Sequence, residues 1–155
     1  MDSFEKFISW AEKSGWIIEK GENPVSLPVQ YRNISENYKR IISGYSKLSN
    51  PEENVWFLLS DDFSCADPDE FAWDTFQKMS LDATDDEEEC AEISAWWDGY
   101  FPIVMSVGGD YIYYAIELST GRIVEGSEPE FEDVTAAAES LEDFFDKIAD
   151  GEIVL

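Results

Sequence analysis

The sequence contains no histidine, which removes the commonest general base and metal ligand near neutral pH. It has only two cysteines, Cys65 and Cys90, far apart and without a CxxC pair, so a zinc site of the usual kind would lack ligands. Cations are scarce as well: 10 Lys and Arg stand against 35 Asp and Glu, a net charge of −25. Phosphate contact requires clustered cations, so direct nucleic-acid binding by the whole chain is excluded. No apolar run approaches the roughly 18 residues of a membrane-spanning helix, and no membrane contact is expected. The opening MDSFEKFISW has acids early and no charged-then-apolar secretory pattern. The expected setting is therefore cytoplasmic, with both thiols reduced. There is no internal repeat, no low-complexity tract and no Pro/Gly-rich linker. The 155 residues read as a single domain, 1–155.

What is present makes a core. Apolar residues are 44% of the chain, and 10 Phe, 7 Tyr and 6 Trp bring aromatics to 15%. Each aromatic side chain can bury about 150–250 Å², which separates this chain from disordered acidic tails. The charge is unevenly placed: residues 1–47 hold seven of the cations and six of the acids, so residues 48–155 carry 29 acids against three cations. Such a field bears on partner choice and solubility rather than on fold.

Hydrophobic spacing predicts a first helix over 2–14, with Phe4, Phe7, Ile8 and Ala11 inward and Gly15 as its stop. Ser35 caps a second helix predicted over 36–48, striped by Tyr38, Ile41, Ile42, Tyr45 and Leu48. Residues 55–59, Val-Trp-Phe-Leu-Leu, read as a strand covered on both faces. Asp67-Pro68-Asp69-Glu70 is a helix start whose helix would turn Ala72, Trp73, Phe76 and Met79 inward. Thr84-Asp85-Asp86-Glu87 is a second capping box, leading into a helix that directs Cys90, Ile93 and Trp97 one way before Gly99. Strands are predicted at 103–107, 111–118 and 122–125, joined by glycine-containing turns as an antiparallel meander. Ile112, Tyr114, Ile116 and Leu118 share one face of the middle strand; Tyr111, Tyr113, Ala115 and Glu117 share the other. A last helix begins near Ser140, with Asp143 completing its capping box and Gly151 at its end. Helices, a meander and a closing helix make an α+β chain with a mostly antiparallel sheet packed against several helices.

Chemistry-bearing patterns are sparse. Asp61-Asp62 and the pair Glu128 and Glu130 could act as a general acid and base or hold a hard cation. With 29 acids after residue 47, such pairs arise by chance, and surface acids closing strands is the stronger reading. Residues 82–92 lack the glycine and alternating oxygens of a calcium loop. Gly108-Gly109-Asp110 has neither a following lysine nor a helix, so it is a hairpin turn rather than a phosphate loop. No nucleophile has a recognisable base beside it. The expectation is a non-enzyme with no cofactor and no metal site. Of the adjacent Trp96 and Trp97, one must turn away from the core side of its helix and is a candidate binding hot spot.

The order of segments adds a resemblance. Tyr38-Lys39-Arg40-Ile41-Ile42 is followed by Trp56-Phe57-Leu58-Leu59-Ser60-Asp61-Asp62-Phe63, then Trp73-Asp74-Thr75-Phe76. Next come Trp97-Asp98-Gly99-Tyr100-Phe101-Pro102-Ile103 and Gly109-Asp110-Tyr111-Ile112-Tyr113-Tyr114-Ala115-Ile116. Gly121-Arg122-Ile123-Val124, Glu128-Pro129-Glu130-Phe131-Glu132 and Ser140-Leu141-Glu142-Asp143-Phe144 complete the series. Over about residues 30–150 this string resembles the SUKH superfamily, the Smi/Knr-like domain. The resemblance implies an α+β fold with a central mixed or antiparallel sheet. It also implies a bacterial immunity protein that neutralises a cognate polymorphic toxin by binding it, or alternatively a regulatory adaptor for another protein. A nuclease toxin would be basic, so an acidic inhibitor would be steered to it. The residues expected to form the partner surface are Trp56, Asp61, Asp62, Trp73, Trp96, Trp97, Asp98, Asp110, Tyr111, Glu128 and Glu130.

Overall fold

The computed structural model describes residues 2–24, 27–64, 73–128 and 130–155. The expected α+β layout is observed. Helix α1 (Ser3–Lys13) is capped by Asp2, whose carboxylate accepts a hydrogen bond from the Glu5 N–H at 2.8 Å, and Gly15 ends it at φ 79°. Strand β1 (Ile17–Lys20) and a short 3₁₀ turn (Val29–Tyr31) lead to α2 (Glu36–Gly44), capped by Ser35 as expected.

The helix predicted to reach residue 48 stops at Gly44, and the chain passes directly into β2 (Tyr45–Ser49). Glu19 pairs with Lys47 and Lys20 with Tyr45, so Ser46 is an extra, bulged residue. A bulge offsets the two-residue alternation. It lets Tyr45 lean on Phe4, and Leu48 enter the core, at a spacing that otherwise signals a helix. Strand β3 (Val55–Phe57) is shorter than predicted, and α3 (Ser60–Ser64) follows at once. The predicted helix start at 67–70, with Ala72, lies outside the described residues.

Helix α4 (Thr75–Asp82) buries Phe76, but Met79, expected inward, is 37% exposed. Helix α5 (Glu87–Trp97) is capped by Asp86 rather than Thr84. The Thr84 hydroxyl accepts from the Asp86 N–H and donates to Glu89, which tightens the turn before the cap. The meander strands are β4 (Tyr100–Ser106), β5 (Ile112–Glu117) and β6 (Ile123–Ser127). Strand β7 (Thr135–Ala138), which no pattern announced, extends the meander ahead of α6 (Leu141–Ala149). Ser140 caps α6 by accepting from the Asp143 N–H, and Asp143 in turn accepts from the Glu139 N–H.

The strands form one sheet in the order β1-β2-β3-β4-β5-β6-β7, every neighbouring pair antiparallel. The predicted alternation along β5 is observed. On one face Tyr114 packs against Phe144 of α6, and Phe57 from β3 meets Phe7 of α1 and Phe145 of α6. On the other, Tyr113 meets Phe76 of α4 and Trp97 of α5. The sheet is thus sandwiched, with α1 and α6 on one side and α4 and α5 on the other. This explains why Tyr113, Tyr114, Ala115 and Ile116 are all buried. Gly126 of β6 lies under the Tyr113 ring, where an added Cβ would sit 2.5 Å from Cε1. That close approach lets Tyr113 lie flat and donate its hydroxyl to the Phe131 carbonyl. No helix among the described residues is long and apolar enough to cross a membrane.

Candidate partner-binding surface

The helical layer of α4 and α5 carries Trp96 and Trp97, ends at Asp98 and packs on Tyr111, and so gathers only part of the expected surface. The α5 periodicity separates its two tryptophans. Trp97 is 2% exposed and packs on Tyr113, so its expected place on the partner surface is corrected: it is a core residue. Its backbone carbonyl accepts from the Tyr31 hydroxyl at 2.9 Å. Its indole Nε1 donates to Glu132 Oε2 at 2.9 Å, and the Ser80 hydroxyl donates to the same oxygen at 2.8 Å. Glu132 was not anticipated. Only the packing of the chain after β6 against α4 and α5 brings it to Trp97.

Trp96 takes the outward role. It is half-buried and stacks on Tyr100, centroids 4.0 Å apart and planes at 12°, with Trp97 edge-on behind it at 5.0 Å. The Tyr100 hydroxyl donates to Glu117 Oε2 at 3.0 Å, while Thr120 and Arg122 donate to Oε1. Hydrogen bonds from Thr120, then Arg122 and Tyr100, hold the Glu117 carboxyl below its ordinary range against a desolvation cost that acts the other way. Burial, helped by Glu117, pushes the Tyr100 phenol up. The aromatic pair is therefore fixed in place by a network, not free to swing.

Glu89, Ile93, Trp96 and Tyr100 follow one another along the same flank of α5 and its exit, at helical spacing. At the N-terminal end of that flank, Asp85, Asp86, Glu87, Glu88 and Glu89 are all exposed, where carboxylates also favour the positive end of the helix dipole. Beside it a cleft of about 430 Å³ opens between α5 and the chain entering β7, lined by Glu89, Ile93, Glu130, Glu132 and Asp133. Glu130, on the cleft wall, and Asp98, just after α5, are both exposed. Asp110 is exposed in the hairpin turn between β4 and β5.

Tyr111 and Glu128 have structural partners. The Tyr111 ring stacks on Phe76, and its N–H donates to Glu128 Oε1 at 3.0 Å while its carbonyl accepts from the Glu128 N–H at 2.9 Å. Glu128 therefore closes the sheet beside the hairpin, with one carboxylate oxygen committed to backbone. The remaining expected residues lie elsewhere. Trp56 sits half-buried on β3 in a shallow hollow with Lys47, Glu53 and Asp62. The Asp62 carboxylate accepts from the Leu59 N–H at 2.8 Å. Asp61 lies in α3, and its side chain is outside the described set. Trp73 stands edge-on to Tyr31 at 5.4 Å and packs over Phe63. These residues do not join the α5 flank.

Six of the ten cations are engaged in ion pairs among the described residues, most of them with half-buried partners. The acids on the α5 flank are left as a nearly uncompensated field. Among the described residues no group of three or more His, Cys, Asp or Glu is placed to hold a metal ion. Comparison with family models, with curated proteins and with solved structures gives no match for this chain.

Proposed function

We propose that this chain is an immunity-type protein that neutralises a basic toxin by binding it directly, through the acidic and aromatic flank of α5. The observation that carries the reading is the joining, on one helix flank, of a run of exposed carboxylates to a locked Trp96–Tyr100 stack. The carboxylates supply attraction at a distance and selection by charge. The aromatic pair supplies area that is already ordered, so little side-chain entropy is lost on docking. The SUKH resemblance points to the same role. A nuclease toxin, which must itself bind phosphates, is the partner whose charge matches best.

The test is co-expression with a candidate basic nuclease toxin. The chain should restore growth and form a stoichiometric complex with the toxin. Its association rate should fall by about tenfold or more from low to high salt. A complex whose association ignores salt would refute the electrostatic part. Failure to rescue or to bind would refute the role.

A further inference from the structure

On the opposite side of the sheet, away from the α5 flank, a hollow of about 280 Å³ opens where α1, α2 and α6 meet. Its floor is apolar: Ile41, Leu141 and Phe145 are buried, and Phe4 and Tyr45 are half-buried against one another. Its polar rim is unevenly occupied. The Asp2 carboxylate caps α1. The Glu142 carboxylate accepts from the Asn37 side-chain amide at 2.9 Å, which ties α6 to α2 across the mouth. Arg40 is exposed at the same mouth and makes no ion pair among the described residues, in a chain with a large surplus of acids.

We infer that this hollow binds a small apolar monocarboxylate, its tail in the Phe4–Ile41–Phe145 floor and its carboxylate on the Arg40 guanidinium. The volume is just under the range of about 300–1,000 Å³ that holds drug-sized ligands, which sets the ligand's scale. A guanidinium pairs a carboxylate through two parallel hydrogen bonds, a geometry that neither a hydroxyl nor an amine ligand can complete. The two rim carboxylates already hold donors of the protein, so they compete less for Arg40 than their nearness suggests. The first 47 residues, which supply Arg40 and much of the floor, carry a net charge of only +1. Burial pushes the Tyr45 phenol up, as a wall of low polarity should.

Octanoate serves as the probe, with octylamine and octanol as charge-reversed and neutral controls, on the whole chain in physiological salt. Octanoate should bind once per chain by calorimetry and shift the resonances of Phe4, Ile41 and Phe145, while the two controls bind at least about tenfold more weakly. Arg40→Ala should weaken octanoate by about tenfold to a hundredfold, the range a charge-assisted hydrogen bond supplies. Arg40→Lys should retain part of the affinity. Arg40 is exposed, so unchanged thermal unfolding of both variants should accompany these results. Equal binding of the three probes, indifference to Arg40→Ala, or no saturable octanoate binding would each overturn the assignment. Binding of only a peptide's carboxyl terminus would overturn it too, because it would make the hollow a protein-docking site.

Discussion

Trp97 Nε1 and Glu132 Oε2 are 2.9 Å apart, and this hydrogen bond links the buried heart of α5 to the wall of the acidic cleft. The same oxygen takes the Ser80 hydroxyl, so a carboxylate beside the core satisfies one donor from α5 and another from α4. Glu132→Ala would leave both donors without their acceptor. It is expected to cost about 1–3 kcal/mol in urea unfolding, with Glu132→Gln costing clearly less because an amide oxygen can still accept. Equal losses for the two substitutions would mean that the bond contributes little.

The Tyr113–Gly126 contact gives a packing prediction. A Cβ at Gly126 would lie within 2.5–2.7 Å of three atoms of the Tyr113 ring and hydroxyl, atoms that are themselves pinned by Phe76, Trp97 and Phe131. Gly126→Ala is therefore expected to destabilise by about 1–3 kcal/mol, as overpacking of a rigid core does. Near-ultraviolet circular dichroism should change with it, since Tyr113 must move. An unaltered melting curve would show that the ring yields freely.

Much of this architecture is legible in residue order, for identifiable reasons. Local chemistry announced the caps at Ser35 and Ser140 and the stops at Gly15 and Gly151, and it settled those boundaries. The alternation through β5 was legible because both faces of that strand are buried and any slip would misplace Tyr113 and Tyr114. Strands β1 and β7 were not, since Ile-Ile-Glu-Lys and Thr-Ala-Ala-Ala are too short and too weakly patterned to outweigh propensity. Strand β2 was hidden by its bulge at Ser46. In the candidate surface, helical phase implied that Trp96 and Trp97 part company, but not that Glu132 would be the residue meeting Trp97. That pairing depends on how the chain after β6 returns across α4 and α5, a tertiary fact with no local signature.

Alkaline pH should unfold the protein cooperatively. Tyr31, Tyr38, Tyr113 and Tyr114 all have their phenols pushed above the ordinary value of 10, by burial first and by neighbouring carboxylates second. A folded-state pKa above the unfolded one means these groups support the native state fully below pH 10. That support is lost as pH rises beyond 10, because only the unfolded chain can release the protons. For four such groups the slope approaches about 5 kcal/mol per pH unit. Absorbance at the phenolate band and far-ultraviolet circular dichroism should therefore change together. Ionisation of all seven tyrosines ahead of any loss of structure would contradict the burial described.

At the proposed interface, attraction and anchoring should separate under substitution. Glu89 and Glu130 stand on either side of the cleft with exposed carboxylates, and neither caps a helix. The double replacement Glu89→Lys and Glu130→Lys should slow association with a basic partner several-fold at low salt. It should have little effect at high salt, because it alters the field rather than the contact. Trp96→Ala should do the reverse. It removes half of the stack on Tyr100, leaves the field intact, and is expected to cost about 2 kcal/mol or more of binding, expressed as faster dissociation at any salt. Trp97→Phe serves as the contrasting variant: it should lower stability through the lost Glu132 bond and reduced packing, with a smaller effect on dissociation. If Trp96→Ala and Trp97→Phe affected the complex in the same proportion as they affect folding, the α5 flank would not be the contact surface. Stopped-flow association and surface-captured dissociation on the same variants give both rates.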